Sequence, residues 1–167
     1  VRRFGPVDRA ELERGFQDLM RMAPRPPESR QLEACRAYIR ERLRAGGMNV
    51  RDESFRALTP KGPLSMANVV GEKPGRSGRI VYLATHIDTK ILEGVRFVGA
   101  NDSGSSTAAV LELARVLARA DTRHTYRFLF LDGEEAIGVN ITGSDGLYGS
   151  RHHASGLESR REAGQVR

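Results

Sequence analysis

The sequence predicts an α/β domain of three layers, with helices on both faces of a mixed, largely parallel sheet. Two runs, Ile80-Val81-Tyr82-Leu83-Ala84 and Tyr126-Arg127-Phe128-Leu129-Phe130-Leu131, have the length and the near-continuous apolar character of strands buried on both faces. Between them Ala109, Leu111, Leu113, Ala114, Val116 and Leu117 continue as a helical pattern. Strand, loop, helix and strand in succession is the grammar of a sheet flanked by helices. The chain has 167 residues, 39% of them hydrophobic, which suits one domain with a real core.

The remaining elements follow in order. From about Val7 to Met22, Leu12, Phe16, Leu19 and Met20 recur at spacings of three and four, which predicts an amphipathic helix. Pro24, Pro26 and Pro27 end it. Ser29 then precedes a second helical pattern through Leu32, Cys35, Ile39 and Leu43, stopped by Gly46-Gly47. Two short runs, around Val50 to Phe55 and Leu64 to Val70, read as strands joined through a Pro/Gly-containing connection, and are expected to form a hairpin. The main domain is expected to span 1–154, with 155–167 a polar, charged and poorly ordered tail.

Composition excludes some functions and leaves others open. The formal charge of +6 comes almost entirely from Arg, scattered over the first half and the tail and interleaved with Glu. No stripe of basic and aromatic residues accompanies it and there is no Trp, so no nucleic-acid partner is expected. Cys35 is the single cysteine, which rules out an intrachain disulfide, and its helical neighbours make it a small buried hydrophobe. No stretch approaches the roughly 18 consecutive apolar residues of a membrane helix. No signal-peptide pattern is read near Val1, and a chain that opens there leaves the compartment undecided. Nothing in the composition fixes the oligomeric state.

Ligands of open α/β sheets gather beyond the carboxyl ends of the strands. His86 and Asp88 follow the first buried strand, Asn101 and Asp102 stand just before the helix, and Glu134 and Glu135 follow the second. Catalytic zinc takes His and carboxylate ligands and leaves a position open, and a further carboxylate must then move protons. Adjacent glutamates can divide these two tasks because their side chains leave the backbone in different directions. Each element also has a plainer reading. Paired glutamates are commonly solvated surface, a lone His is more often structural, and Asn101, Asp102 or Ser103 suits the cap of the following helix. An Asp-Gly-Glu-Glu run at the exit of a mostly apolar strand is nevertheless a poor candidate for random surface. His152 and His153 lie in a polar segment and receive no ligand role, and His124 reads as a turn residue.

These residues sit within a longer set of motifs: Pro24-Arg25-Pro26-Pro27 with Ser29, Asn68-Val69-Val70-Gly71, Ala84-Thr85-His86-Ile87-Asp88-Thr89-Lys90, Phe97-Val98-Gly99-Ala100-Asn101-Asp102, Leu111-Glu112-Leu113-Ala114-Arg115, Asp132-Gly133-Glu134-Glu135-Ala136 and Asp145-Gly146-Leu147-Tyr148-Gly149-Ser150-Arg151-His152. Across nearly its whole length the chain resembles the zinc aminopeptidase superfamily, metallopeptidase family twenty-eight, and within it the glutaminyl-peptide cyclotransferase branch. The resemblance implies a zinc-exopeptidase-like fold, Asp102 and Glu135 as zinc ligands, and Glu134 as the proton shuttle. His86 would hold a second zinc, bridged by Asp102, if the enzyme is an aminopeptidase. One zinc is implied for a cyclase, two for an aminopeptidase.

The implied substrates are peptide or protein amino termini, either an N-terminal Gln cyclised with release of ammonia or a first residue removed by hydrolysis. A non-catalytic peptide-binding domain of the same fold is the third alternative, against which the retained Glu134 argues. Family members are commonly exported, so a periplasmic or extracellular setting is expected. The resemblance further implies that the domain continues beyond Arg167, with one more His ligand and another acidic residue there. Where cyclotransferases carry a Trp shortly after the Glu-Glu-Ala, this chain reads Ile137-Gly138-Val139-Asn140-Ile141-Thr142-Gly143-Ser144, one residue longer and without Trp.

Overall fold

The computed structural model describes residues 5–159. Helix α1 (Arg9–Arg21) begins at Asp8, whose carboxylate accepts the N–H groups of Ala10 and Glu11. Helix α2 (Arg30–Ala45) begins at Ser29, whose hydroxyl accepts the N–H of Leu32, and it stops at Gly46-Gly47, the second with φ of +74°. Strands β1 (Asn49–Thr59) and β2 (Gly62–Lys73) then form the expected hairpin, longer than the apolar runs alone suggested. Thr59 pairs with Gly62 across Pro60-Lys61, and the Thr59 hydroxyl donates to the Gly62 carbonyl at 2.6 Å. Strand β3 (Ile80–His86), α3 (Ser106–Ala118), β4 (Thr125–Leu131) and α4 (Tyr148–Ser159) complete the order.

The sheet runs β1-β2-β4-β3. Its mixed character is as expected, but the parallel share is smaller: β3 and β4 pair parallel, while β1 with β2 and β2 with β4 pair antiparallel. The physical reason is the hairpin, which attaches to the βαβ unit on the β4 side and brings two antiparallel pairings with it. A second correction concerns β3, expected to be buried on both faces. It lies at the sheet edge of the described residues, and Ala84 is exposed. The expectation holds better for β4, where Phe128, Leu129 and Phe130 are all buried.

Side-chain alternation sorts the helices into two outer layers. Val69, Phe128 and Phe130 share a core with Leu19 of α1, with Leu32, Cys35, Ile39 and Leu43 of α2, and with Ala108, Leu111, Ala114 and Leu117 of α3. Cys35 is fully buried there, and burial raises its thiol pKa to about 11, so it behaves as a hydrophobe. On the opposite face Ala57 and Met66 pack with Ile137 and with Tyr148 of α4. The three-layer α/β/α arrangement follows from these two cores. None of the described helices is long and apolar enough to cross a membrane.

Helix α4 is fixed tightly to the sheet. The Asn68 amide donates to the Gly149 carbonyl at 2.9 Å and its carbonyl oxygen accepts the Asp132 N–H at 3.0 Å. Gly149 N–H donates to the Asp132 carbonyl at 3.0 Å. One turn later His153, read from sequence as part of a polar segment, is buried: its Nδ1 lies 2.7 Å from Glu53 Oε2 of β1, and its ring meets Tyr82 edge-on. His152 stacks on Phe55. The predicted tail begins inside this helix, because residues 155–159 form its last turns; residues 160–167 of that tail lie outside the described residues.

Two predictions arise from the α4 docking. A Cβ at position 149 would fall onto Asn68 Oδ1 and the Asp132 carbonyl oxygen, so Gly149→Ala is expected to cost about 1–3 kcal/mol, measured by urea unfolding. Burial by itself would raise the Glu53 carboxyl, but the hydrogen bond and charge of His153, together with Arg51, outweigh it and hold the group at about 2, below the ordinary 4.5. A pKa depressed on folding stabilises the protein above the unfolded value and is lost as pH falls toward the folded one. The stability advantage of wild type over Glu53→Gln is therefore expected at pH 7 and should shrink between about 4.5 and 2. A gap independent of pH would refute this assignment.

Candidate functional site

Because β3 and β4 are parallel neighbours, their carboxyl ends emerge side by side, with His86 opposite Leu131. The Ile87 N–H extends the ladder to the Leu131 carbonyl at 2.9 Å. Beyond it the two exit loops are joined by Asp88, which is wholly buried. Its Oδ1 accepts the Glu134 N–H and its Oδ2 the Glu135 N–H, each at 3.0 Å. Gly133, at φ of +63°, turns the chain sharply out of β4, and the Glu134 carbonyl accepts the Leu147 N–H at 2.8 Å. Both glutamates are thereby fixed by their backbone, leaving their side chains half-buried at the mouth.

Asp102 arrives from the third direction, ahead of α3. The turn Ala100–Ser105 carries an i→i+5 bond from the Gly104 N–H to the Gly99 carbonyl at 2.8 Å, and Asp102 within it is extended. Gly99 has φ of +60°, and a Cβ there would strike the Asp102 carbonyl oxygen, so glycine is required for this approach. The Asp102-Ser103 peptide is cis. Thr107 donates to the His86 carbonyl at 3.0 Å and the Ser106 and Thr85 hydroxyls lie 2.7 Å apart, which ties the start of α3 to the end of β3. The capping expectation for Asn101, Asp102 or Ser103 is corrected here. Helix α3 starts at Ser106 after Ser105 with no side-chain cap, and the Asp102 carboxylate turns instead to His86.

His86 Nε2 lies 2.6 Å from Asp102 Oδ1, and its Nδ1, buried without a hydrogen-bond partner, faces Asp88 Oδ1 at 3.4 Å. Burial would lower the imidazole pKa, but Asp88, Asp102 and Glu134 overcome it and raise the group to about 9. Glu134 is raised by burial first and by Asp88 and Asp102, against the opposing pull of His86 and Lys90. Glu135 is raised by burial and then by Asp102, Asp88 and Glu134. Four carboxylates around one imidazole is an arrangement in which like charges burden one another, and a cation relieves them.

Imidazole and carboxylate donors suit zinc in kind. His86 has a carboxylate on each side, Asp102 Oδ1 at 2.6 Å from Nε2 and Asp88 Oδ1 at 3.4 Å from Nδ1. The described residues do not bring three donors together as a complete metal cage. The structure thus gathers His86, Asp102, Glu134 and Glu135 at one mouth, with His86 and Asp102 in contact. Sequence reasoning noticed Asp88 and gave it no role; its signal was the His-x-Asp spacing, but its partners are backbone N–H groups 46 and 47 residues away. It also passed over Lys90, whose Nζ donates to the Ala136 and Gly138 carbonyls at 2.6 and 2.7 Å, and Asp145, which accepts the Ile137 and Gly138 N–H groups at 2.8 and 2.7 Å. These two fix the loop that follows Glu135.

Comparison with known proteins shows the family and the fold. The family model described as Peptidase family M28 matches residues 68–166. The glutaminyl-peptide cyclotransferase-like protein of Bos taurus is 38% identical over 135 residues, covering 74% of this chain and 35% of the relative. The glutaminyl-peptide cyclotransferase of Gloydius blomhoffii is 35% identical over 145 residues, covering 75% and 39%. The chain therefore spans between about a third and two-fifths of the length of these relatives. Among solved structures, the Acidobacteriales bacterium glutaminyl cyclase superposes with a TM-score of 0.90 at 29% identity, covering 98% of this chain and 57% of that one. A Zn-dependent exopeptidase from Parabacteroides distasonis, at 20% identity and a TM-score of 0.80 over 91% of this chain and 57% of its own, shares the fold. On the family match and the shared fold, this chain belongs to peptidase family M28.

Proposed function

We propose that the chain carries part of the active site of a zinc-dependent enzyme acting on peptide amino termini, and that its reaction is cyclisation of an N-terminal Gln with release of ammonia. The observation that carries this reading is the placement of Glu134 and Glu135 by a single buried carboxylate, Asp88, beside the His86–Asp102 pair. The identity to glutaminyl-peptide cyclotransferases supports the choice of reaction. Asp102 and Glu135 are assigned as zinc ligands, with His86 adjoining. Zinc, when bound, would polarise the carbonyl oxygen under attack.

Glu134 is assigned the proton. The terminal amine nitrogen bonds to the side-chain amide carbon, Glu134 takes a proton from that nitrogen, and it returns the proton to the amide nitrogen as the carbon–nitrogen bond breaks and ammonia leaves. Burial among other carboxylates favours the protonated form of Glu134, which suits a group that must both accept and give. Aminopeptidase activity is the second reading, and one observation favours it. The 2.6 Å contact of His86 with Asp102 brings together two donors that would help to hold a second zinc. One zinc per full-length molecule supports the cyclase, two the aminopeptidase.

Mass spectrometry of an N-terminal Gln peptide incubated with zinc and the full-length protein separates these outcomes. Loss of ammonia is expected; shortening by one residue would establish the aminopeptidase, and an unchanged peptide would overturn both. Within either reaction Glu134→Gln is expected to lower kcat by a factor on the order of 10²–10⁴ while zinc content stays unchanged. Equal loss of activity and zinc would mean that the two glutamates do not divide their work as assigned.

A further inference from the structure

Arg25 is among the largest side chains of the described chain without solvent exposure. It lies in the proline-rich connection between α1 and α2, where a solvent-facing residue would be ordinary. Removing a guanidinium from water is costly unless its donors are used. Nη1 donates to the Leu19 carbonyl at 3.1 Å and Nε to the Ile87 carbonyl at 2.8 Å. The backbone adds two more bonds: the Arg25 N–H donates to Thr89 Oγ1 at 2.9 Å, and the Arg25 carbonyl accepts the Thr89 N–H at 3.0 Å. Only the Leu19 bond points away from the site; the others go to the residues on either side of Asp88. Nη2 stays buried with no protein partner.

Ile87 and Thr89 are fully buried, so with both neighbours held the backbone at Asp88 has little freedom left. Asp88 in turn sets Glu134 and Glu135 through their N–H groups. We propose that Arg25 is a positioning residue of this site: by fixing Ile87 and Thr89 it sets where Asp88 presents its carboxylate, and through Asp88 where the two glutamates stand. Charge is consistent with the geometry. Burial works against the protonated guanidinium, while Cys35 and Asp88 favour it, which puts Asp88 within electrostatic reach. A lysine would keep the charge but lacks the planar fork that bonds Ile87 and Leu19 from one rigid group. The assignment rests on the reading of Glu135 as a zinc ligand and Glu134 as the proton carrier.

The test compares full-length wild type with Arg25→Met, Arg25→Lys and Leu43→Ala, the last a core change on α2. Each is measured by thermal melting, by zinc affinity in competition with a chromophoric chelator, by the visible absorption of the cobalt-loaded form, and by kcat and KM on an N-terminal Gln peptide. Arg25→Met is expected to lower zinc affinity or kcat 10- to 100-fold and to shift the cobalt spectrum. Arg25→Lys is expected to show a smaller change of the same kind, and it carries the comparison if Arg25→Met does not fold. Leu43→Ala is expected to lower Tm without moving the other readouts. Arg25 variants that lower Tm alone, as Leu43→Ala does, would overturn the positioning role and leave the proposed function standing. Wild type that holds no zinc and leaves the peptide unchanged would overturn the proposed function, and this assignment with it.

Discussion

The Asp88 carboxylate, buried at the junction of two strand ends, is the constraint on which the rest of the site depends. Two parallel strands deliver two loops to the same place, but nothing in strand pairing fixes how those loops face each other once the ladder ends at Ile87 and Leu131. Asp88 supplies that relation by taking one N–H from Glu134 on one oxygen and one from Glu135 on the other. A buried carboxylate is tolerable because both oxygens are used, and two buried amide donors are tolerable because it is there. Losing it would leave each donor unsatisfied, at about 1–3 kcal/mol apiece, and would free the loop that carries Glu134 and Glu135. The junction of the two loops and the proposed chemistry therefore rest on the same four atoms of carboxylate and amide.

A second clamp stands behind the first. Asp132, the last residue before the turn, accepts the Ala67 N–H at 2.9 Å and the Arg36 guanidinium at 2.7 Å, while Asn68 holds both the Asp132 N–H and the Gly149 carbonyl. Arg36 belongs to α2, Ala67 and Asn68 to β2, and Gly149 to α4, so both outer layers meet the sheet at the root of the Glu134–Glu135 loop. Burial raises the Asp132 carboxyl to about 6 despite the Ala67 N–H and the Arg36 charge. Elsewhere the arginines are engaged in a different manner. Arg9 with Glu13, Arg14 with Glu11, and Arg40 with Glu33 and Asp52 form surface pairs that contribute little stability individually. They show why a formal charge of +6 gives no continuous basic face along these helices: the guanidinium groups are interleaved with carboxylates.

What the sequence disclosed, and what it withheld, divides along the range of the interactions. Helix starts at Asp8 and Ser29 and the stop at Gly46-Gly47 are set by bonds within a few residues, so local pattern is enough to read Ser29 and the glycines. The apolar strands and their exit loops are set by period and by chain order, which is why His86, Asp102, Glu134 and Glu135 were legible as one group. Asp88 was seen without a role because its partners are backbone groups, which leave no residue type to recognise. His153 was read only as part of a polar segment because its burial depends on Glu53, 100 residues earlier, and on Tyr82. The capping expectation at Asn101–Ser103 failed for the opposite reason. Local propensity was read correctly, but the long-range contact with His86 outcompeted it.

The stretch after Glu135, without the Trp that the family resemblance led one to expect, is a loop held by its own polar bonds. Asp145 takes the Ile137 and Gly138 N–H groups and the Tyr148 hydroxyl, and Lys90 bridges to the Ala136 and Gly138 carbonyls from the His86 side. Ile137 is thereby drawn into the core with Met66 and Tyr148, while Val139 and Ile141 are left exposed. Cyclisation requires the Gln side chain to fold back onto its own amine, and a wall that favours the folded form contributes by proximity. Small aliphatic side chains can exclude water from such a conformer but cannot stack on the amide plane. Under the proposed cyclisation the burden of orientation would fall on the groups at the reacting end, the glutamates whose N–H groups Asp88 holds.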